Sequence, residues 1–247
     1  MRALELRGAG RHFAGVHAAQ EVSLQIARGE VVGLVGPNGS GKTTVVNVAS
    51  GAIAPTAGQV LVDGRDLTGQ PSTHFSRAGV VRTFQALRLF EGLSVLDNVR
   101  LGAERAERRT LVGALVGRGD GTSLAPARAA LDEVGMGGFA DRPVGALSHG
   151  QRRRVELARA FAASPTYLVL DEPGAGVDPE QRVAFAEIIG RQRREGVGML
   201  IVEHDPGLVE RLADRVLGMA GGRIVAEGSW AEVSAHPQLA AQLGPGQ

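Results

Sequence analysis

Residues 36–43 read GPNGSGKT, preceded by the apolar run EVVGLV at 30–35 and continued by the helical pattern GKTTVVNVAS. Glycine, four residues, then Gly-Lys-Thr is the pattern of a loop that cradles phosphate, and it needs a strand before it and a helix after it. The reason lies in the backbone. Glycines adopt conformations closed to other residues, so successive N–H groups can turn into one concavity. The helix starting near Gly41 adds the partial positive charge of its N-terminus. Lys42 is placed to reach the β- and γ-phosphates of a nucleotide, and the Thr43 hydroxyl to coordinate Mg²⁺. The nucleotide-binding set expected here is Gly36, Pro37, Asn38, Gly39, Ser40, Gly41, Lys42, Thr43 and Thr44. A glycine-rich turn that binds nothing is the alternative, and it leaves the complete match in its required setting unexplained.

A second apolar strand, YLVL at 167–170, runs into Asp171 and Glu172. Successive strand residues point to opposite faces, so the two carboxylates can take different tasks. Asp171 would orient Mg²⁺, and Glu172 would polarise an attacking water, a general-base contribution of roughly 10²–10⁴-fold. An exposed acidic turn would read the same way in isolation, but not beside a phosphate loop.

The stretch GALSHGQRRRVELARA at 145–160 raises a different question. Ser148 is a natural N-cap, and Gln151 three residues on completes a capping box. Arg152, Arg153 and Arg154 then fall in the first turn, where each cation costs roughly a few tenths of a kcal/mol against the helix dipole. Either they serve an exposed turn or a strongly anionic group arrives there. One of them can also pair with Glu156 along the helix.

The 247 residues carry a net charge of +1, so a general polyanion-binding surface is not indicated. With no cysteines there are neither disulfides nor thiolate metal sites. No apolar run is long enough to cross a membrane, and the opening MRALELRGAGRHF lacks the apolar core of a secretion signal, so a cytoplasmic location is expected.

Apolar strands alternate with helical patterns along the chain. QVLVDG at 59–64 alternates like a half-buried strand, GMLIV at 198–202 is continuously apolar, and PEQRVAFAEIIGRQRREG between the later strands is a helix. GRIVAEGS at 222–229 reads as a late hairpin strand. Such alternation argues for an α/β fold with a mainly parallel sheet covered on both faces. The middle, SVLDNVRLGAERAERR and LAPARAALDEVG, shows helices and no clear strand, and we expect an inserted helical subdomain there. The Arg-Gly-Asp within GRGDG at 117–121 reads as an ordinary turn.

Taken together, GPNGSGKT, YLVLDE and LSHGQ at 147–151 resemble the ATP-binding cassette (ABC) family, whose signature is usually Leu-Ser-Gly-Gly-Gln. The resemblance covers nearly the whole chain. It implies a P-loop NTPase (RecA-like) core, with an N-terminal antiparallel β subdomain and an inserted helical subdomain. The expected division is 1–85 and 148–235 for the nucleotide-binding core, 86–147 for the helical subdomain and 236–247 for a tail. It also implies a head-to-tail dimer holding two ATP molecules. Ser148, His149, Gly150 and Gln151 of one subunit would then face the phosphate loop of the other. In that reading the anion near the arginines is ATP on the partner.

By the same resemblance Phe13 corresponds to an aromatic that stacks on adenine. Gln85 in RTFQ corresponds to the glutamine that senses Mg²⁺, Asp178 to a loop crossing the dimer interface, and His204 in LIVEHD to the histidine on the γ-phosphate. His149 departs from the usual glycine. A side chain there would crowd or contact the partner's nucleotide, or point outward.

GVVRTFQALRLFEGLSVLDNV at 79–99 and GRIVAEGSWAEVSAHP at 222–237 are similar to the longer ATPase subunit of branched-chain amino-acid importers. The partners so implied are a paralogous ATPase subunit or a second copy, two integral-membrane permeases and, indirectly, an extracytoplasmic solute-binding protein. No nucleic acid is implied, and the chain would sit on the cytoplasmic face of the membrane. Residues 86–100 would receive the permease. Related importers of amides, urea or aromatic acids use similar ATPases. A soluble ABC ATPase is a further alternative, though no sustained heptads point to the coiled coils of DNA-maintenance members. A GTPase or kinase would leave LSHGQ unexplained. A non-catalytic nucleotide-binding regulator is hard to reconcile with intact Lys42, Asp171, Glu172 and His204.

Overall fold

The computed structural model describes residues 2–83, 89–106 and 124–243. Ten strands form among these: β1 (Ala3–Phe13), β2 (Val16–Ala27), β3 (Val31–Val35), β4 (Ala57–Val62), β5 (Arg65–Asp66), β6 (Val80–Arg82), β7 (Tyr167–Asp171), β8 (Gly198–Val202), β9 (Arg215–Ala220) and β10 (Arg223–Gly228). One sheet has the order β2-β1-β4-β5 and is antiparallel. The other has the order β10-β9-β3-β8-β7-β6 and is parallel except for the β9–β10 hairpin.

Strands β3, β7 and β8 are buried along their whole length, which is why they read as unbroken apolar runs. Their side chains split between two cores. Val31, Leu168, Leu170, Met199 and Ile201 face the helical side. Val32, Leu34, Val169, Leu200 and Val202 face the phosphate-loop helix Lys42–Ala49 and the antiparallel sheet. Each parallel strand is therefore a wall shared by two layers, the reason it tolerates no polar alternation.

The two sheets are tied by a polar contact. The Tyr167 hydroxyl donates to Asp63 Oδ1 at 2.5 Å, and Arg28 pairs with the other carboxylate oxygen at 2.5 Å. Burial, and then the adjacent Asp63, push the Tyr167 phenol up to about 12, so it remains a donor at any ordinary pH.

On the other face, helices Val95–Ala106 and Leu124–Glu133 pack against helix His149–Ala162. Val95, Val99, Ala127, Leu131, Val155 and Ala158 are wholly buried between them. Contact is closest at Gly102, where a Cβ would stand 2.0 Å from the Arg159 carbonyl oxygen. Because that obstacle is backbone, no rotamer relieves it. Gly102→Ala should therefore destabilise the fold by about 1–3 kcal/mol despite alanine's better helix propensity, read as a lower urea midpoint.

Candidate nucleotide site

Parallel strands place their carboxyl ends along one edge, and ligands of such sheets bind there. At this edge Gly36 follows β3, Asp171 ends β7 with Glu172 next, and Glu203 and His204 follow β8. Arg82 ends the neighbouring β6. Residues far apart in sequence are brought to one side of the sheet by strand order alone.

The phosphate loop is clamped from two sides. Gly36, at φ 150°, has the Met219 carbonyl oxygen 2.2 Å from where a Cβ would stand. Gly41, at φ 103°, has the Ala18 carbonyl oxygen equally close, at 2.2 Å. Gly222 N donates to the Ser40 carbonyl at 3.0 Å. These approaches leave no room for side chains, which is the physical content of two of the motif's glycines. Asn38 and Thr43 are exposed, Pro37 and Thr44 half-buried, and Ser40 buried with no hydrogen-bond partner for its hydroxyl. Lys42 is buried, and its Nζ donates to the carbonyls of Gly36 at 2.7 Å and Pro37 at 2.9 Å. Burial lowers its pKa, while the charges of Glu172 and Asp171 act in the opposite sense. The loop lysine and the two carboxylates thus share one electrostatic environment.

The carboxylates differ in setting. Asp171 is buried and paired with Arg82 at 3.0 Å, and Arg82 also donates to Asn47 on the phosphate-loop helix. Glu172 lies beyond the strand end, with left-handed backbone at φ 49° and its N–H donating to the Val202 carbonyl at 2.9 Å. A non-glycine residue there is strained, and such strain concentrates at functional positions. Its Oε1 lies 3.2 Å from His204 Nε2.

Sequence reasoning missed Glu203. This carboxylate is only 4% exposed. One oxygen accepts from Gly174 N at 2.6 Å and the other from His204 N at 3.1 Å. It braces both the turn after Glu172 and the residue that meets Glu172. Burial raises its pKa, with the backbone N–H donors opposing. Nothing in the stretch LIVEHD distinguishes Glu203 from a solvated carboxylate; its burial marks it as an anchor.

The helix His149–Ala162 begins with the expected capping box: Gln151 N donates to Ser148 Oγ at 3.3 Å, and Ser148 N to Gln151 Oε1 at 2.9 Å. The cap uses Ser148 Oγ as an acceptor, so its hydroxyl proton stays available for an anion. The arginines have local partners. Arg152 donates to the carbonyls of Leu147 at 3.1 Å and Gly145 at 2.9 Å, and Arg153 forms a buried pair with Glu156 at 3.1 Å. The anion proposed for them from sequence is therefore not needed to explain these two side chains. His149 takes a course sequence reasoning did not foresee and lies against Ala175 and Gly176 of its own chain.

Phe13 is 44% exposed, not a core residue, and the Arg11 guanidinium lies over its ring at 4.8 Å. Gly150 is half-buried in the first turn of the capped helix, and Asp178 is exposed just before helix Pro179–Arg194. Gln85 lies outside the described residues.

A family model described as ABC transporter matches residues 19–175. The chain is 35% identical over 242 residues to the high-affinity branched-chain amino acid transport ATP-binding protein BraF of Pseudomonas aeruginosa, covering 96% of this chain and 95% of that protein. The chain belongs to the ABC transporter family. It is also 34% identical over 242 residues to the protein LivG of Escherichia coli strain K12, described in the same words, again covering 96% of this chain and 95% of the other. Among solved structures it resembles a nucleotide-free ATP-binding cassette from an ABC transporter, with a TM-score of 0.88, 28% identity and 100% of both chains covered. It resembles the ADP conformation of an ABC transporter cassette with a TM-score of 0.85 and 28% identity over 98% of each chain.

Among the described residues no three His, Cys, Asp or Glu side chains are grouped to hold a metal. That suits Mg²⁺ in a cassette, because Mg²⁺ usually takes one or two protein oxygens and completes its shell with phosphate and water. The Thr43 hydroxyl and the Asp171 carboxylate are hard oxygen donors of that kind.

In the cassette, Glu203→Gln should break one of the two braces, because a carboxamide presents its NH₂ to one of the two N–H donors. Urea unfolding should show a loss of about 1–3 kcal/mol. Glu203's pKa is raised on folding, so its contribution is fullest below the ordinary 4.5 and is lost as pH rises through the raised value. The stability gap between parent and variant should therefore be widest near that acid limit and narrow above it.

Proposed function

We propose that this cassette hydrolyses ATP to drive an importer of branched-chain or other hydrophobic amino acids. The observation that carries the hydrolytic part is the Glu172–His204 pair, 3.2 Å apart, set in the electrostatic reach of Lys42. Lys42 leaves its loop carbonyls for the β- and γ-phosphates, and the phosphate-loop N–H groups and helix N-terminus add donors. Glu172 accepts a proton from the attacking water, and His204 contacts the γ-phosphate. Thr43, Asp171 and Gln85 would hold Mg²⁺, which would supply charge neutralisation at the phosphates. Phe13, its ring exposed, carries the adenine.

Two cassettes close head to tail, with Ser148, Gly150, Gln151 and Asp178 contributing across the interface. A solved bacterial ABC transporter cassette that is 25% identical, with a TM-score of 0.78, is described as dimeric, which supports this reading. The cargo rests on the names of the curated relatives.

The cassette works from the cytoplasmic face through permease partners; no helix among the described residues is long and apolar enough to cross a membrane. Their docking place is the segment near 86–100. Phe90 is 57% exposed and Leu93 38%, whereas Val95 and Leu96 turn into the core. An apolar pair left outside while the next apolar residues, Val95 and Leu96, are buried fits a contact surface.

Purification of the Glu172→Gln form with ATP from native membranes should recover two permease chains and a second cassette subunit. Recovery of soluble partners only would reject the transporter reading. Lys42→Ala should abolish ATP binding in equilibrium titration. Phe90→Asp should lower permease recovery at least tenfold while ATP affinity is kept, as expected for loss of an aromatic anchor.

A further inference from the structure

In the proposed sandwich, Glu172 acts on this chain's own ATP while the capped helix at Ser148 acts on the partner's. Within one chain the two are joined through a single turn. His149 Nε2 lies 3.3 Å from the Ala175 carbonyl oxygen, and Arg153 Nε donates to the same oxygen at 3.3 Å. Gly176 follows with φ 73°, and a Cβ there would come within 2.6 Å of His149 Cδ2 and Nε2. The imidazole occupies the space that the glycine leaves. Ala175 N donates in turn to the Glu172 carbonyl at 3.1 Å, and Gly174 N is held by Glu203. The turn that follows Glu172 is thus gripped by Glu203 on one side and by His149 together with Arg153 on the other. Glycine, the family's usual residue at the His149 position, has no side chain to share in the second grip.

We propose that His149 is a positioning residue that couples the two nucleotide sites. It links the N-terminus of the signature helix to the turn that sets Glu172, so that partner ATP engaging the helix also fixes Glu172 on this chain's ATP. The coupling rests on the head-to-tail dimer proposed above; the contact itself does not.

Hydrogen exchange of the full chain, read by mass spectrometry, tests both. In the nucleotide-free protein, His149→Gly should speed exchange across residues 174–178 by roughly fivefold, as loss of one ordinary hydrogen bond implies. His149→Gln, which keeps an N–H donor at similar reach, should restore slow exchange, and His149→Phe, which fills the space without a donor, should not. With ATP in a Glu172→Gln background, the signature segment and the turn should gain protection together. After His149→Gly in that background, the signature should stay protected while the turn does not.

Unchanged nucleotide-free exchange in His149→Gly would overturn the contact and the proposal with it. Joint protection by ATP in His149→Gly as in its parent would leave the sandwich standing and overturn the coupling alone. Protection of neither segment in the parent would show that the sandwich reading is wrong, and the coupling would fall with it.

Discussion

Four parallel strands, β3, β8, β7 and β6, stop side by side, and the chain leaves each of them at the same edge. Backbone groups at those ends need partners other than the ladder. The loop after β3 answers with glycines at positive φ, Gly36, Gly39 and Gly41. The loops after β7 and β8 answer by bonding to each other, with Glu172 N on the Val202 carbonyl and Gly174 N on Glu203. Everything chemical about the chain depends on this shared edge. Lys42, the Asp171–Glu172 pair and His204 are far apart in sequence; adjacent strand order brings them together.

A buried carboxylate at such an edge costs desolvation energy unless it is well bonded. Glu203 and Asp171 meet that requirement in different ways. Asp171 has a guanidinium partner, Arg82, which also holds Asn47 and so fixes the carboxylate relative to the phosphate-loop helix. Glu203 has backbone N–H donors, which bind without adding a counter-charge. The difference suits their positions. In the proposed site Asp171 would meet cations and phosphates, where a competing arginine can yield. Glu203 faces only its own loops, where nothing arrives to replace a partner.

How much of this was legible follows from the range over which each signal acts. Strands β3, β7 and β8 showed themselves because burial on two faces leaves a local mark, an unbroken apolar run. The capping box at Ser148 and the phosphate loop are also local, each written within a few neighbouring residues. Strands β1 and β2 were reached through family resemblance and not through alternation, because their pairing shifts register between Leu6 and Ala9 and again before Arg11 and His12. Each shift breaks the period of two that a strand pattern needs. Strand β6 has three residues, too few to carry a period. Arg82 with Asp171, and Glu203 with Gly174, are contacts between distant segments, and no spacing rule encodes them. Gly102 carried no signal either, since its reason is a carbonyl on another helix.

The arginine triplet and His149 show how a local rule can be satisfied by an unexpected route. Cations in a first helical turn are unfavourable only while they remain near the free N–H groups. Arg152 folds back onto carbonyls of the preceding segment, and Arg153 is drawn into the buried pair with Glu156 and onto the Ala175 carbonyl. Those acceptors remove the guanidinium groups from the helix mouth and leave it open to an anion. The His149 ring also turns back onto its own chain, lying along Gly176. His149 and Arg153 are therefore the side chains that tie the start of this helix to the turn after Glu172. A departure from the family's usual glycine at this position adds a contact between the start of the helix and the turn after Glu172, while the capping box at Ser148 is kept.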